Sequence, residues 1–565
     1  MICPKLLYSN APRPSQPDNP TDEERNIMAY YALYRTCHTE DYENIFKAMS
    51  PPEEITSVSS PGSFKGKRVG VIGGGLAGLS AAFELRKLGF DITIFEASGD
   101  RIGGRVYTYY FDRERKLYGE LGAMRIPVNH ETVWHYIKLF KLATEPFIQT
   151  DPKAFIYLHQ TGVRNDPYGE NVMKYIYPGY NLSPWESGTP WQELGYYGIE
   201  APVLKAPSKV RKEILQVKPS YSRQLLFWDS LSTRQMFEWM KLSQGAINLL
   251  ANLFPIGGEF LYHSFVDMVQ EYFPVNFWFL YQIKGGMVNL PQAFYKSFIS
   301  KQPAEYYPGI PEELLGDIRW KAGNYVKGIY NEADGESVTL AFEDNQKNST
   351  QYENFDYVVC TVPFSVLRTM DIMPMFSSRK MQAIKEVTYG NAQKTILNCS
   401  RKFWEEQGIF GGGSYTDLPI TTIWYPSDNN KQPSEAEPGV LLASYNFNMD
   451  AVRLGNMTEN DRIEKIKQNV EEVHGLRKGT LDSVVTASKS QVWDNDPLFR
   501  GAFCYFTPGQ KKLFSWEMTL PEYNNRVFFA GEHVSALHRW QQGALKSGME
   551  AANALAFLNR RHTAF

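Results

Sequence analysis

The chain has 565 residues, 43% of them hydrophobic and 21% charged, with 12 Trp, 34 Tyr and 34 Phe. That composition excludes a disordered or low-complexity protein and leaves room for several domains. With 59 basic and 62 acidic residues the formal net charge is -3, so no overall positive field recruits a polyanion, and nucleic acid is not an expected partner. In chain order, Pro12, Pro14, Pro17 and Pro20 forbid a helix or a central strand and predict an extended arm over residues 10–22. Helical periodicity follows over residues 21–49, then a Ser/Gly/Lys linker over residues 57–67. Arg68-Val69-Gly70-Val71-Ile72 is an apolar run too short for a helix, and it ends on three glycines. A helical pattern over residues 79–88, stopped by Gly89, leads to a second strand, Asp91-Ile92-Thr93-Ile94-Phe95-Glu96. Strand, turn, helix and strand within about 30 residues make a βαβ unit, which requires a parallel sheet covered by helices. Residues 166–202, rich in Tyr, Gly and Pro, read as surface loops. Ser232 with Gln235 fits a capping box ahead of Met236, Phe237 and Met240, and Ser243 opens a helix through Ile247, Leu250 and Leu253. The middle third therefore reads as mainly helical. Strand character returns over residues 325–342 and 355–362, and residues 543–558 form an amphipathic helix.

The five cysteines, Cys3, Cys37, Cys360, Cys399 and Cys504, are odd in number and scattered, with no CxxC pair. They read as reduced, mostly buried thiols without metal spacing, so no metal is expected. The first residues lack the long apolar core of a signal peptide, and no apolar run is long enough to cross a bilayer. A cytosolic protein without a membrane partner is expected.

Gly73-Gly74-Gly75-Leu76-Ala77-Gly78 matches GxGxxG at the end of the first strand, with Glu96 ending the second. Gly73 permits the tight turn, Gly75 admits a pyrophosphate, Gly78 lets helix pack on strand, the helix N-terminus presents free amides to the anion, and Leu76 and Ala77 are expected cofactor contacts. Glu96, followed by Ala97, is placed to accept ribose hydroxyls, which argues against a 2′-phosphate. Arg101-Ile102-Gly103-Gly104-Arg105-Val106, completed by Thr108, adds an RxGGRxxT pattern that an NAD domain does not need. Here the chain resembles the FAD-dependent amine oxidase superfamily, over nearly its whole length. Val527-Phe528-Phe529-Ala530-Gly531-Glu532-His533 resembles that superfamily's third FAD motif, in which the acid binds the ribityl or diphosphate region.

Within the superfamily the sequence is most similar to the L-amino-acid oxidase group. Glu120-Leu121-Gly122-Ala123-Met124-Arg125-Ile126-Pro127 resembles the segment whose arginine binds the substrate carboxylate, which suits the planar fork of a guanidinium. Lys394 matches the lysine that holds a water near flavin N5. In Val440-Leu441-Leu442-Ala443-Ser444-Tyr445 the resemblance gives Tyr445 to the carboxylate, with Ser444 as the alternative one residue out of register. In His538-Arg539-Trp540-Gln541-Gln542-Gly543-Ala544 it places the Arg539 carbonyl at the substrate amine and Trp540 beside the isoalloxazine. Gln541, Ala544, Val326 and Trp493 join Gly122, Ala123, Met124 and Arg125 as expected cofactor contacts. Two departures stand out. Arg539 replaces a small residue, putting a long cation at the pocket mouth, and aligning His263-Ser264-Phe265 brings Glu271 where some relatives carry a histidine, so no histidine base is transferred. Phe503, not Cys504, occupies the position of a flavin-linking cysteine, so FAD is expected to be non-covalent.

The resemblance implies oxidative deamination of an L-α-amino acid to a 2-oxo acid, ammonia and hydrogen peroxide, with hydride transfer from Cα to flavin N5. An L-amino-acid 2-monooxygenase and a flavin-holding protein without turnover are the rivals. The partners are then an L-amino acid and dioxygen, and a homodimer is expected. Asp267 and Glu271 would suit a cationic substrate, whereas Trp424, Phe447 and Trp540 would suit an aromatic or large apolar one. The expected fold class is α/β plus α: a Rossmann-like FAD-binding domain (residues 65–107, 283–388 and 515–565) interleaved with a mixed-sheet substrate-binding domain (22–56, 108–165 and 389–514) and a helical domain (166–282).

Overall fold

A computed structural model describes residues 12–254, 258–344, 349–427 and 436–560. The two strands of the βαβ unit lie side by side in a five-stranded sheet ordered Ile318–Ala322, Asp91–Glu96, Arg68–Ile72, Tyr357–Cys360, Val527–Phe529. Every pairing in it is parallel. Val69, Val71, Ile92, Ile94, Val358 and Val359 are buried, the continuous apolar pattern of strands covered on both faces. On one face the helix Leu76–Lys87 packs against Gln541–Asn559. Their approach needs small residues, since a Cβ on Gly548 would sit 2.1 Å from Ser80 Oγ and 2.3 Å from the Ala77 carbonyl. The other face is closed by a four-stranded sheet whose Leu340, Phe342 and Phe355 share a core with Ile72 and Phe95. Strands separated by more than 400 residues thus meet in one layer, and their carboxyl ends open on one crevice, the usual ligand position of such sheets.

A second, seven-stranded sheet runs Val485–Val492, Ala392–Cys399, Gly439–Phe447, Thr422–Trp424, Gly413–Thr416, Phe155–Leu158, Thr161–Arg164. It is mixed, antiparallel except where Gly413–Thr416 meets Phe155–Leu158. Ala392–Cys399 and Gly439–Phe447 pair with Lys394 opposite Tyr445, and the register shifts just beyond, between Thr395 and Ile396.

The capping box read from the sequence is formed, Ser232 with Gln235 starting Thr233–Trp239, and the Ser243 hydroxyl caps Gln244–Leu253, the helix expected to open there. Residues 166–202 correct the expectation of surface loops. They hold the helices Pro184–Ser187, Trp191–Ile199 and Ala201–Leu204, and Leu194, Tyr196 and Ile199 are buried. Pro184, Pro190 and Pro202 stand at or next to helix starts, where a missing N–H costs nothing, so they begin these short helices rather than break them. Within the described part of the amino-terminal arm, Gln16 Nε2 donates to the Leu280 carbonyl at 2.5 Å and the Asn19 amide to Thr144 O at 3.2 Å.

Cys360, Cys399 and Cys504 are free buried thiols, but Cys37 is disulfide-bonded, which corrects the expectation of five reduced cysteines. An oxidised Cys37 also removes the all-thiol pattern that favours a cytosolic location. Cys3 lies outside the described residues. Among the described residues no helix is long and apolar enough to cross a membrane, and no cluster of His, Cys, Asp and Glu could hold a metal ion.

Candidate active site

The glycine turn forms as the tight turn requires, with Gly73 at φ +106°, a conformation that side chains disfavour. A Cβ added at Gly75 would meet only the Gly104 Cα at 3.9 Å, so the backbone there faces open space. The second glycine pair lies against the first, with the Gly103 amide donating to Gly74 O at 3.1 Å. Glu96 Oε2 accepts the Gly74 amide at 2.9 Å and Oε1 the Ser98 amide at 2.7 Å. Burial pushes the Glu96 carboxyl above its ordinary range, and these amides limit the rise.

Together these groups line a cleft of about 1360 Å³, counting its open mouth. Gly73, Gly75, Leu76, Ala77, Glu96, Ala97, Arg105, Gly122, Ala123, Val326, Trp493, Gly531, Glu532, Trp540, Gln541 and Ala544 all border it. Gly78 does not; it is the packing glycine, its place for a Cβ filled by the Gly73 carbonyl 2.0 Å away. Met124 and Arg125 face an adjoining cavity instead. Sequence reading missed Thr361, Val362 and Pro363, which line the cleft at the carboxyl end of Tyr357–Cys360. The rule that parallel strands point their carboxyl ends at the ligand would have found them.

Glu532 fastens the far wall. Its Oε1 takes Arg105 Nη1 at 2.8 Å and the Cys504 amide at 3.1 Å, and its Oε2 takes the Arg539 amide at 2.9 Å. Burial raises this carboxyl's pKa, but Arg105 and the neighbouring donors outweigh that and leave it below the ordinary value. Phe503 borders the cleft while Cys504, with no exposure, packs into the core behind it, and burial pushes its thiol well up. Cys504 is thus not offered to a bound flavin. Acid precipitation is expected to release all the yellow cofactor into the supernatant; colour retained in the pellet would contradict this geometry.

The adjoining cavity, about 780 Å³, shares Gly122, Ala123, Lys394, Tyr445, Phe503, Arg539, Trp540 and Gln541 with the cleft, so the two are continuous. Phe260, Phe277, Trp424 and Phe447 complete its aromatic walls. Arg125 opens into it. Its Nη1 donates to Gln149 Oε1 at 2.8 Å, and its guanidinium stacks 5.2 Å from the Phe277 ring centre and 5.0 Å from that of Trp424. Among the described residues it forms no ion pair with a protein carboxylate. Burial lowers its pKa, yet a guanidinium remains charged, so a cation without an ion-pair partner among the described residues faces a largely aromatic cavity. Gln149 is a neighbour of Arg125 that no motif announced.

Tyr445 shares both cavities, and burial raises its phenol to about 12, so it enters as a neutral donor. Ser444 points the other way and donates to Gln393 Oε1 at 3.0 Å. Lys394 is 2% exposed; its Nζ donates to Gly122 O at 2.7 Å and lies 4.2 Å from the Tyr445 ring centre. Burial brings its pKa down to about 7, with Glu120 opposing the shift. Glu120, raised by burial to about 7, accepts from Thr108 Oγ1 at 2.8 Å and from the Met287 amide at 2.8 Å. Trp540 meets His130 edge to face at 5.0 Å, and its Nε1 is buried without a partner.

Arg539 is not the mouth-facing cation anticipated from sequence. Its side chain is 8% exposed, with Nη2 2.8 Å from Asp267 Oδ2 and 2.7 Å from Asp267 O. Nε stands 2.5 Å from Glu271 Oε1 as a charge contact off the line of its N–H. Asp267 also accepts His538 Nδ1 at 2.7 Å. Burial alone would raise the Asp267 pKa, but Arg539 and His538 hold it well below the ordinary range. Glu271 borders the adjoining cavity and is pushed up by burial, with Arg539 limiting the rise. His263 stacks on Tyr505 at 3.6 Å and is held neutral by burial, at about 3; it borders neither cavity.

A parallel sheet with a glycine turn, a ribose-side acid and a continuous aromatic cavity defines a dinucleotide-dependent oxidoreductase of the Rossmann-like class. A family model for flavin containing amine oxidoreductase matches residues 76–556, and the chain belongs to that family. An L-amino-acid oxidase of Sistrurus catenatus edwardsii is 30% identical over 515 residues, covering 91% of this chain and 90% of the relative. One from Siganus canaliculatus is 31% identical over 484 residues, with 85% and 84% covered. The fold is also that of putrescine oxidase (TM-score 0.63, 16% identity, covering 86% of this chain and 98% of the other) and of cyclohexylamine oxidase from Brevibacterium oxydans (TM-score 0.61, 16% identity, 87% and 98%). FAD is the cofactor, and the open backbone at Gly75, the Glu96 carboxylate and the wall fixed by Glu532 fit it.

Proposed function

We propose that the protein is an L-amino-acid oxidase that deaminates an L-α-amino acid to a 2-oxo acid and ammonia, passing electrons to dioxygen to give hydrogen peroxide. The observation that carries this reading is Arg125: a part-buried guanidinium without a carboxylate partner among the described residues, facing a cavity continuous with the FAD cleft. A carboxylate entering that cavity would meet the two-pronged guanidinium and the Tyr445 hydroxyl. Gln149 and the Phe277 and Trp424 rings fix the direction of the fork, so the α-carbon would be aimed at the cleft rather than left to tumble. The flavin, when bound, supplies the two-electron acceptor. Lys394, lying between the two cavities and with its pKa lowered to about 7, is placed to hold a water or, in its uncharged form, accept a proton released from the amine. The aromatic walls support a large apolar or aromatic side chain, because Glu271 and Asp267 already face Arg539.

A peroxide-release screen across the twenty L-amino acids tests this, with leucine, phenylalanine and their like expected to lead and D-isomers to be inert. Formation of an amide and carbon dioxide without peroxide would assign the monooxygenase instead. Failure of every amino acid to bleach the flavin anaerobically would leave a flavin-holding protein. The Lys394 amine predicts a pH effect as well. Below about 7 the side chain is an ammonium with no free lone pair, so turnover should fall on the acid side with an inflection near its pKa of about 7. That inflection is expected to vanish in Lys394→Met, and its persistence there would remove Lys394 from the proton path.

A further inference from the structure

We propose that Arg539 is a specificity-determining residue, a built-in cation occupying the acidic corner of the substrate cavity and so denying it to substrates with cationic side chains. The inference rests on the reading of the cavity as an L-amino-acid site. Three observations support it. Arg539 borders both the FAD cleft and the substrate cavity, while its guanidinium turns away from solvent onto Asp267 and Glu271. Glu271 borders the cavity in its own right, so a carboxylate is present where a substrate side chain would pass and is already neutralised. Arg539 also holds φ +73°, a left-handed conformation disfavoured for a residue with a side chain, and the buried ion pairs help to hold it there.

The cation is anchored from both ends. Its amide is held by Glu532 at 2.9 Å, and its Nη1 lies 3.3 Å from His263 Nδ1, a ring that burial keeps neutral and that cannot replace the positive charge. His538, on the far side of Asp267, borders neither cavity. Removing the Arg539 side chain therefore leaves Asp267 with His538 but leaves Glu271 without its close cation. A buried acid in that condition favours an incoming ammonium or guanidinium. Glycine is the suitable replacement because it also relieves the positive φ.

The test compares kcat/KM for L-lysine and L-leucine in wild type, Arg539→Gly and Arg539→Lys, alongside thermal-shift titration with each amino acid. The wild type is expected to turn over leucine and neglect lysine. Arg539→Gly should raise the lysine-to-leucine ratio at least tenfold and acquire a lysine-induced rise in Tm, Arg539→Lys should stay near wild type, and adding Glu271→Gln to Arg539→Gly should erase the gain. An Arg539→Gly protein that binds flavin normally yet keeps the wild-type ratio overturns the proposal, as does a wild type that prefers lysine. If Arg539→Gly does not fold, Glu271→Gln alone decides. By taking away one of the two acids that Arg539 faces, it should make the cavity less negative and improve L-glutamate relative to leucine at least fivefold, and an unchanged ratio overturns the proposal. A wild type inert toward leucine and every other amino acid would instead remove the oxidase reading beneath it.

Discussion

Arg125→Met is expected to lower kcat/KM for L-amino acids by about 10²- to 10³-fold while leaving the flavin content of the purified protein unchanged. The magnitude follows from losing one partner of a buried, charge-assisted pair, which costs roughly 3–4 kcal/mol, at 1.36 kcal/mol per decade. Methionine keeps the apolar contact with Phe277 and Trp424 and removes only the fork. Arg125 does not border the FAD cleft, so the cofactor has no reason to leave. The loss should appear in KM and in kcat, because on the proposed function the guanidinium would both hold the carboxylate and set the angle of the α-carbon. A second substrate sharpens the result. The decarboxylated amine matching the best amino acid has no carboxylate, so wild type and Arg125→Met should treat it alike. A variant that loses activity equally on amine and amino acid would show that Arg125 shapes the cavity rather than binding the anion.

Much of this arrangement was legible in the sequence where the information is local. The GxGxxG turn, the paired glycines after it and the terminal acid of the second strand each carry a backbone requirement within a few residues, and they form the cleft as read. Fold class followed from the same segment, since one βαβ unit commits the sheet to parallel pairing. The choice between Ser444 and Tyr445 stayed open because an alternation of period two is broken by the register shift beside Thr395. In the fold Tyr445 stands opposite Lys394 and faces the cavity with it, while Ser444 turns to Gln393. Residues 166–202 were misread for a related reason. Their helices are too short to show a period, and their prolines mark starts. The fate of Arg539 was the least legible of all. Asp267 and Glu271 precede it by some 270 residues, so sequence displays a cation and two acids but not that they satisfy one another. Gln149 likewise gains its role only through the fold that carries it to Arg125.

Gly78→Ala should abolish flavin binding and with it all turnover, although alanine normally stabilises a helix by about 1 kcal/mol over glycine. Gly78 lies in the first turn of Leu76–Lys87, where a Cβ would stand 2.0 Å from the Gly73 carbonyl oxygen and 3.0 Å from Thr361 Oγ1. Neither can give way cheaply. Gly73 is the turn residue at φ +106°, and Thr361 Oγ1 is itself hydrogen-bonded to the Ile72 carbonyl at 2.8 Å. The helix must therefore lift from the strand, which moves the amides of the glycine turn away from the diphosphate position and opens the contact with Gln541–Asn559. Overpacking of this kind costs typically 1–3 kcal/mol, enough to lower Tm by several degrees on its own, and the loss of bound FAD removes its stabilisation as well. Gly99→Ala is the matched control, an exposed glycine with no atom within 4 Å of its added Cβ, and it should purify yellow with an unchanged Tm. A Gly78→Ala protein with full flavin and a wild-type melting temperature would mean that the helix does not rest on the glycine turn as described.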